Sequence, residues 1–229
     1  MASKRSATWK MFVILSGRGG VGKTLLAMLL TVALLIQNRT PRIVDADLQK
    51  RLQFLFPDYV TSVDIDQFEA LEQDPLALAR AFAAVPQAAR AAAASVCTDV
   101  IVDTAATWHA AVIKYCAEIR LPETVKKLNG ELVFLVPLTA DADAILLAVD
   151  TAQKIEQLLP GAELVFVING HPQVPRFDLL ALQSVQGELK RLFANHSQIL
   201  LPAIHEKFWG NLNVLECPCS MFRRLTPLI

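Results

Sequence analysis

The sequence predicts an α/β fold, a doubly wound, mostly parallel β-sheet flanked by helices in a single domain. Short continuous runs of Val, Ile, Leu and Phe alternate along the chain with longer helical stretches. Such runs are typical of strands buried on both faces, as in a parallel sheet covered by helices. The β-α-β-α order indicates double winding, and the length of 229 residues fits one domain.

The predicted elements follow from these runs and from the Gly and Pro residues between them. Six strands are predicted, at Met11–Leu15, Arg42–Asp45, Asp99–Asp103, Glu131–Pro137, Glu163–Ile168 and Gln198–Leu201. Five helices are predicted, at Lys23–Gln37, Pro75–Ser95, Thr107–Ile119, Ala142–Leu159 and Phe177–Ala194. We expect residues 1–9 to be flexible, a further helix near Glu206–Val214, and a C-terminal tail at residues 216–229.

The composition argues against several classes of protein. Lys+Arg and Asp+Glu both number 22, so the chain as a whole is not basic as many nucleic-acid-binding proteins are. The mean hydropathy is +0.38, but the longest apolar run, Leu25–Ile36, is shorter than the roughly 20 residues of a membrane span. Because a strand follows the basic N-terminus, we expect no signal peptide and a cytoplasmic protein. No metal-site spacing joins Cys97, Cys116, Cys217 and Cys219.

A glycine-rich turn joins the first predicted strand to the first predicted helix. Residues 17–24 read Gly-Arg-Gly-Gly-Val-Gly-Lys-Thr, which has the spacing of a phosphate-binding loop. Glycines let successive backbone N–H groups turn towards phosphate oxygens, and the helix N-terminus adds partial positive charge. We expect Lys23 to reach the β- and γ-phosphates and Thr24 to bind Mg²⁺. The predicted nucleotide contacts are Gly17, Gly19, Gly20, Val21, Gly22, Lys23 and Thr24.

The same eight residues resemble the deviant Walker A box of the ParA/MinD family of P-loop ATPases, which usually reads Gly-Lys-Gly-Gly-x-Gly-Lys-Thr. In that family the first lysine crosses a nucleotide-sandwich dimer to contact the ATP of the partner. Arg18 stands at this position, and its planar, charged guanidinium suits phosphate. The resemblance implies a catalytic contact in trans from Arg18. An ordinary solvated loop charge is the alternative.

Three aspartates lie at or just after the ends of the second and third predicted strands. Asp45 and Asp47 leave a strand end on the same side, and Asp103 ends an apolar strand, where a carboxylate can face the water shell of a metal. The segments resemble the switch I motif of the family, Asp-x-Asp-x-Gln, and its Asp-x-x-x-Asp-Thr-Pro box. The resemblance implies that Asp47 positions or activates the attacking water and that Asp45 and Asp103 support Mg²⁺. For Asp103, helix capping is the alternative.

Two positions in the second half of the chain are candidates for contacts with the base. Asn169 closes the fifth predicted strand, and its amide can both donate and accept, which suits an adenine edge. An asparagine at this strand end recognises the purine in the family, although a turn residue before Gly170 is the alternative. Pro202 lies in a segment that resembles the loop covering the base.

The resemblance covers about residues 10 to 205 and implies slow, partner-stimulated ATP hydrolysis with Mg²⁺, coupled to homodimer formation. It also implies a role in plasmid or DNA partitioning, plasmid stability or conjugative transfer, as in the small StbB/TraL-like plasmid ATPases. The expected partners are a DNA-binding adaptor or activator protein and non-specific DNA. The basic pairs that could contact DNA are Lys50-Arg51, Lys126-Lys127, Lys190-Arg191 and Arg223-Arg224.

Two other functional classes remain as alternatives. A MinD-like membrane-positioning ATPase would need an amphipathic C-terminal helix, which Pro227 cuts short, so membrane contact is not expected. A P-loop ligase or reductase, such as dethiobiotin synthetase or the nitrogenase iron protein, shares the architecture. Cys97 and Cys116 are poorly placed for an iron–sulfur cluster, and we find no substrate-binding signature for a ligase.

Overall fold

A computed structural model describes residues 9–47, 49–63, 79–170 and 185–201. Its strands are β1 Trp9–Ile14, β2 Thr40–Ala46, β3 Val60–Ser62, β4 Thr98–Thr104, β5 Gly130–Leu138, β6 Glu163–Asn169 and β7 Ser197–Leu201. The helices lying wholly within these ranges are α1 Lys23–Ile36, α2 Arg51–Leu55, α3 Ala84–Ala93, α4 His109–Glu118, α5 Leu121–Lys127, α6 Ala142–Leu158 and α7 Gln186–Asn195. A 3₁₀ turn, Ala106–Trp108, precedes α4.

The described strands form one seven-stranded sheet in the order β3-β2-β4-β1-β5-β6-β7. Every neighbouring pair is parallel, which confirms the predicted doubly wound α/β fold. β1 is the central strand, and the chain passes from β4 on one side of it to β5 on the other. Ligands bind doubly wound sheets at the carboxyl ends of the strands, where the strand order reverses. The turns after β1, β2 and β4 therefore meet at the edge where a ligand is expected.

The core lies on both faces of this sheet, which explains why the strands are continuously apolar. Along β1, Trp9, Met11 and Val13 pack into one buried cluster, whereas Phe12 and Ile14 pack into another on the opposite face. Within the described residues, α1 and α2 contribute to the cluster of Phe12 and Ile14, and α3 to α7 contribute to the other. A strand covered on both sides has no solvent face, so alternation with polar residues is lost.

All six predicted strands form, with ends displaced by at most two residues. The prediction missed β3, because three residues pairing only with β2 at the edge of the sheet leave too short a pattern. It also missed α2 and α5, which have five and seven residues. Helices this short carry little periodicity, and packing against the sheet rather than sequence propensity stabilises them.

The long helix predicted at Pro75–Ser95 is interrupted within its described part: residues 79–81 are helical, a turn follows at 82–83, and α3 runs from Ala84 to Ala93. Pro86 accounts for the break, since proline lacks the N–H that a helix interior needs but is tolerated in the first turn. Residues 75–78, and residues 177–184 of the helix predicted before Asn195, lie outside the described residues. So do the predicted helix near 206–214 and the tail at 216–229. Of residues 1–9, which we expected to be flexible, residues 1–8 also lie outside the described residues. For Trp9 the expectation is wrong, because Trp9 begins β1 and is buried.

No helix in the described ranges combines the length and the hydropathy that crossing a membrane requires.

Candidate nucleotide-binding site

The turn between β1 and α1 presents bare backbone to solvent. Gly20 and Gly22 have φ angles of 78° and 95°, a left-handed conformation that favours glycine because side chains with a Cβ are strained there. Helix α1 begins at Lys23, directly after the second of these glycines. Its first N–H groups have no partner within the helix and carry the positive end of the helix dipole. The turn can therefore receive an anion on its backbone.

Lys23 folds back into this turn. Its Nζ donates to the carbonyl oxygen of Arg18 at 2.9 Å and to that of Ser16 at 3.4 Å. Burial lowers the pKa of Lys23, while the carboxylates of Asp103 and Asp47 oppose that shift. Neutral carbonyls are weaker partners for an ammonium group than an anionic oxygen. A phosphate in the loop would therefore supply the stronger partner that Lys23 lacks.

Asp45 and Asp103 are aligned on neighbouring strands beside the loop. They occupy partner positions in the β2–β4 register, and Asp103 is also the register partner of Ile14 at the end of β1. Both carboxylates are almost completely buried. Burial raises the pKa of Asp45, and it raises the pKa of Asp103 to about 7, an effect that the neighbouring Thr24 and Lys23 oppose.

Asp47 links this buried pair to the start of α1. Its backbone N–H donates to Asp45 Oδ1 at 3.0 Å, and its Oδ2 accepts from the Thr24 hydroxyl at 3.4 Å. Its Oδ1 accepts from the backbone N–H of Gln49 at 3.2 Å. These contacts bring together the residues that the sequence assigned to the metal and to the attacking water. Their functional roles remain predictions.

Three carboxylate oxygens of the buried pair make no hydrogen bond within the described residues, namely Asp45 Oδ2, Asp103 Oδ1 and Asp103 Oδ2. Buried acceptors without a partner are costly, and such groups call for an ion or a water. No three His, Cys, Asp or Glu residues in the described ranges are arranged to hold a metal on their own. Mg²⁺ commonly binds through one or two carboxylates together with substrate phosphates. The donors Asp45, Asp103 and Thr24 fit that arrangement.

Arg18 extends from the loop towards the N-terminus of α6. Its guanidinium lies 3.7 Å from Asp141 Oδ2 and 3.8 Å from Asp143 Oδ2, and its side chain is 44% exposed. Asp141 also caps α6 by accepting from the N–H of Ala144 at 3.0 Å. Exposed ion pairs of this kind contribute about 0–1 kcal/mol. Arg18 is therefore held loosely and can be withdrawn from α6 at small cost.

Asn169 lies against the other end of the loop. Its Nδ2 donates to the carbonyl oxygen of Val21 at 3.2 Å, and a Cβ on Gly22 would approach that nitrogen to 2.7 Å. The sequence predicted Asn169 as a reader of the base. The structure brings its amide nitrogen to the phosphate loop. Contact with adenine remains a prediction.

A sequence model of the CobQ/CobB/MinD/ParA nucleotide binding domain matches residues 12–201. The chain belongs to this family. The match runs from residue 12, within β1, to the end of β7, and therefore includes the phosphate loop, the three aspartates and Asn169. The predicted resemblance to ParA/MinD proteins is thus confirmed, and the chain carries a nucleotide-binding domain of their type. A search of curated protein sequences finds no match.

Solved structures with this fold include members of the same family. A protein assigned to plasmid partition in Borrelia burgdorferi B31, bound to AMPPNP, aligns with a TM-score of 0.57 at 12% identity over 96% of this chain and 97% of its own. A second structure, of a plasmid partition protein from Borrelia burgdorferi, gives 0.54 at 13% identity over 96% and 99%. The septum site-determining protein MinD of Pyrococcus horikoshii OT3, complexed with Mg-ADP, gives 0.51 at 14% identity over 95% and 94%. At these identities the likeness shows the fold alone.

Two features of this family member's site were not predicted. The pairing of Arg18 with Asp141 and Asp143 joins two turns far apart in sequence, and no local pattern signals it. His109 packs on Gly17, although a histidine at the start of a helix carries no signal of its own. Pro202, predicted to lie near the base, falls outside the described residues.

Proposed function

We propose that the chain is a Mg²⁺-dependent ATPase that acts as an ATP-driven dimerisation switch, in plasmid or DNA partitioning, plasmid stability or conjugative transfer. One observation carries the nucleotide and cation part of this proposal. Lys23 and Thr24 of the phosphate loop lie beside the buried carboxylates of Asp45 and Asp103, and three of the four oxygens of this pair make no hydrogen bond within the described residues. Buried carboxylates would repel an anion that binds alone, whereas they can coordinate the cation that accompanies a nucleotide.

The residues divide the chemistry between them. The loop backbone and Lys23 bind and orient the phosphates, and Thr24, Asp45 and Asp103 hold the cation. When bound, Mg²⁺ neutralises charge on the phosphates. Asp47 orients the attacking water, since it already makes contacts with Thr24 and Asp45 that hold it at this edge of the sheet. Phosphoryl transfer depends mainly on positioning and charge neutralisation, so turnover is slow until a partner completes the site.

The nucleotide assignment is tested by measuring binding of a fluorescent ATP analogue and phosphate release, with Mg²⁺ and with EDTA. We expect unlabelled ATP, but not GTP, to displace the fluorescent analogue. We also expect slow hydrolysis that EDTA stops. Titration with double-stranded DNA, followed by fluorescence anisotropy, tests whether the chain binds DNA. Absence of ATP binding would contradict the nucleotide assignment, and ATP binding without DNA binding would contradict only direct contact with DNA.

The predicted basic pairs differ in how available they are to DNA. The pairs at 50–51 and 126–127 have exposed side chains, and the first directly follows the switch I segment. In the pair at 190–191, Arg191 is bound by two glutamates at 2.5 and 2.6 Å, so its charge is already neutralised. The pair at 223–224 lies outside the described residues, as does the tail on which the membrane-positioning alternative depends.

Arg18→Ala is expected to weaken dimerisation more than nucleotide binding. Its loose pairing with Asp141 and Asp143 leaves the guanidinium free to reach a second subunit. Loss of one charge-assisted phosphate contact should reduce dimer affinity about tenfold or more. ATP affinity of the monomer should change less than about threefold by the same arithmetic. Light scattering gives the first quantity and titration at low protein concentration the second.

The matched control is Arg42→Ala, which removes an exposed arginine of β2. It should change neither quantity. A larger loss in monomer binding than in dimerisation for Arg18→Ala would make Arg18 a contact within its own subunit.

A further inference from the structure

The imidazole of His109 lies against the first residue of the phosphate loop. A Cβ built on Gly17 would lie 2.9 Å from His109 Cε1, 3.2 Å from Nε2 and 3.3 Å from Nδ1. Real Cβ atoms do not approach a neighbour that closely, so the ring accounts for the glycine at this position. Gly19, two residues along the loop, has nothing within 4 Å of the same hypothetical atom. Of these two glycines, only Gly17 is therefore required for steric reasons.

The ring is tethered to the segment that follows Asp103. Its Nδ1 lies 2.9 Å from the carbonyl oxygen of Ala106, which fixes Nδ1 as the hydrogen-bond donor. In the same segment the Thr104 hydroxyl donates to the carbonyl oxygen of Ile14 at 2.9 Å, directly below the loop. His109 thus joins the turn after β4 to the turn after β1.

The other ring nitrogen has no ordinary packing role. His109 Nε2 is buried and makes no hydrogen bond within the described residues, and it lies 3.8 Å from Asp150 Oδ2 on α6. Asp150 is itself paired with Lys154 at 2.7 Å. An apolar side chain would fill this space without burying an unpaired nitrogen. His109 therefore combines a ring hydrogen bond to Ala106 with a close contact to Gly17.

We propose that His109 is a positioning residue, whose ring holds Gly17 and so sets the phosphate loop in its nucleotide-binding shape from the turn after β4. This rests on the proposed nucleotide function of the loop. Asn169 supports the other end of the same loop through Val21. The loop is then held from two strands, β4 on one side and β6 on the other, and movement in the segment after Asp103 is transmitted to Gly17.

The test is a double-mutant cycle on the full chain, measured with a fluorescent ATP analogue and, without nucleotide, by thermal unfolding. Gly17→Ala should weaken binding about tenfold, the scale of an overpacked contact. His109→Ala removes the ring atoms that the new methyl group would contact. In the His109→Ala background, Gly17→Ala should therefore weaken nucleotide binding by less than about threefold. The matched cycle, Gly19→Ala with and without His109→Ala, should show no coupling. If the His109→Ala chain does not fold, His109→Gln is used in its place, because the flexible end of the glutamine side chain can move away from the methyl group at position 17.

The outcomes separate this proposal from the function on which it rests. Weaker nucleotide affinity in His109→Ala alone, together with coupling in affinity for Gly17 and none for Gly19, supports the positioning role. Equal loss for Gly17→Ala in both backgrounds overturns it, as does coupling in unfolding temperature without coupling in affinity, which would make His109 a packing residue. Failure of the unmutated chain to bind the ATP analogue overturns the proposed function, and the positioning role with it.

Discussion

Lys23→Ala is expected to abolish measurable ATP binding, with a loss in affinity of roughly a hundredfold or more for two charge-assisted bonds. Lys23 is 8% exposed and already points its ammonium into the loop, towards the carbonyl oxygens of Arg18 and Ser16. It also lies close enough to Asp103 and Asp47 for their charges to raise its pKa against the effect of burial. Without it, phosphates entering the loop would meet carboxylates with no cation from the chain between them.

The variant should still fold, because burial disfavours the charged lysine in the free protein and its hydrogen-bond partners lie in a turn. Unfolding temperature and circular dichroism check this. Lys10→Ala is the control, since Lys10 pairs with Glu131 at the amino end of β1, opposite the loop. Normal ATP affinity in Lys23→Ala would contradict the nucleotide assignment.

Asp47→Ala is expected to bind ATP but to lose turnover by a factor of roughly 10² to 10⁴, the contribution typical of a positioned acid or base. The carboxylate of Asp47 is held between the Thr24 hydroxyl and the Gln49 N–H, at the edge where the γ-phosphate is expected. Binding should survive, because the loop and Lys23 remain and one negative charge near the phosphates is removed. Phosphate release and analogue binding are measured on the same sample.

Asp47→Asn preserves the size of the side chain and should lose turnover in the same way if the carboxylate is required. Asp58→Ala, which removes an exposed aspartate in the turn before β3, should behave like the unmutated chain. Turnover in Asp47→Ala equal to that of the unmutated chain would remove Asp47 from the catalytic role and leave Asp45 and Asp103 as the carboxylates to test.

The sequence was most informative where local pattern and function coincide. The residues of the phosphate loop are contiguous, so their spacing alone predicts the turn between β1 and α1. Asp45 and Asp103 each end a continuous apolar strand, and parallel strands must bring such ends to one edge of a sheet. The structure then aligns the two as register partners. That pairing depends on strand order, which periodicity does not give.

Contacts between turns that are far apart in the chain could not be predicted from the sequence. Arg18 meets Asp141 only because β5 lies next to β1, and His109 covers Gly17 only because β4 lies on the other side. The same limit explains Asn169. Its amide character could be read from the sequence, but its partner at Val21 is 148 residues away. Short elements such as β3 were not predicted for another reason, because a three-residue strand has too few positions to show a hydrophobic periodicity.

The molar mass of the Asp47→Ala chain in solution, measured by light scattering with Mg-ATP and then with Mg-ADP, decides whether the site works as a dimerisation switch. Blocked turnover should accumulate the ATP state. We predict twice the 25.2 kDa of one chain with Mg-ATP and the mass of a single chain with Mg-ADP. The same mass with both nucleotides would contradict the switch, and the P-loop ligase or reductase alternative would then take its place.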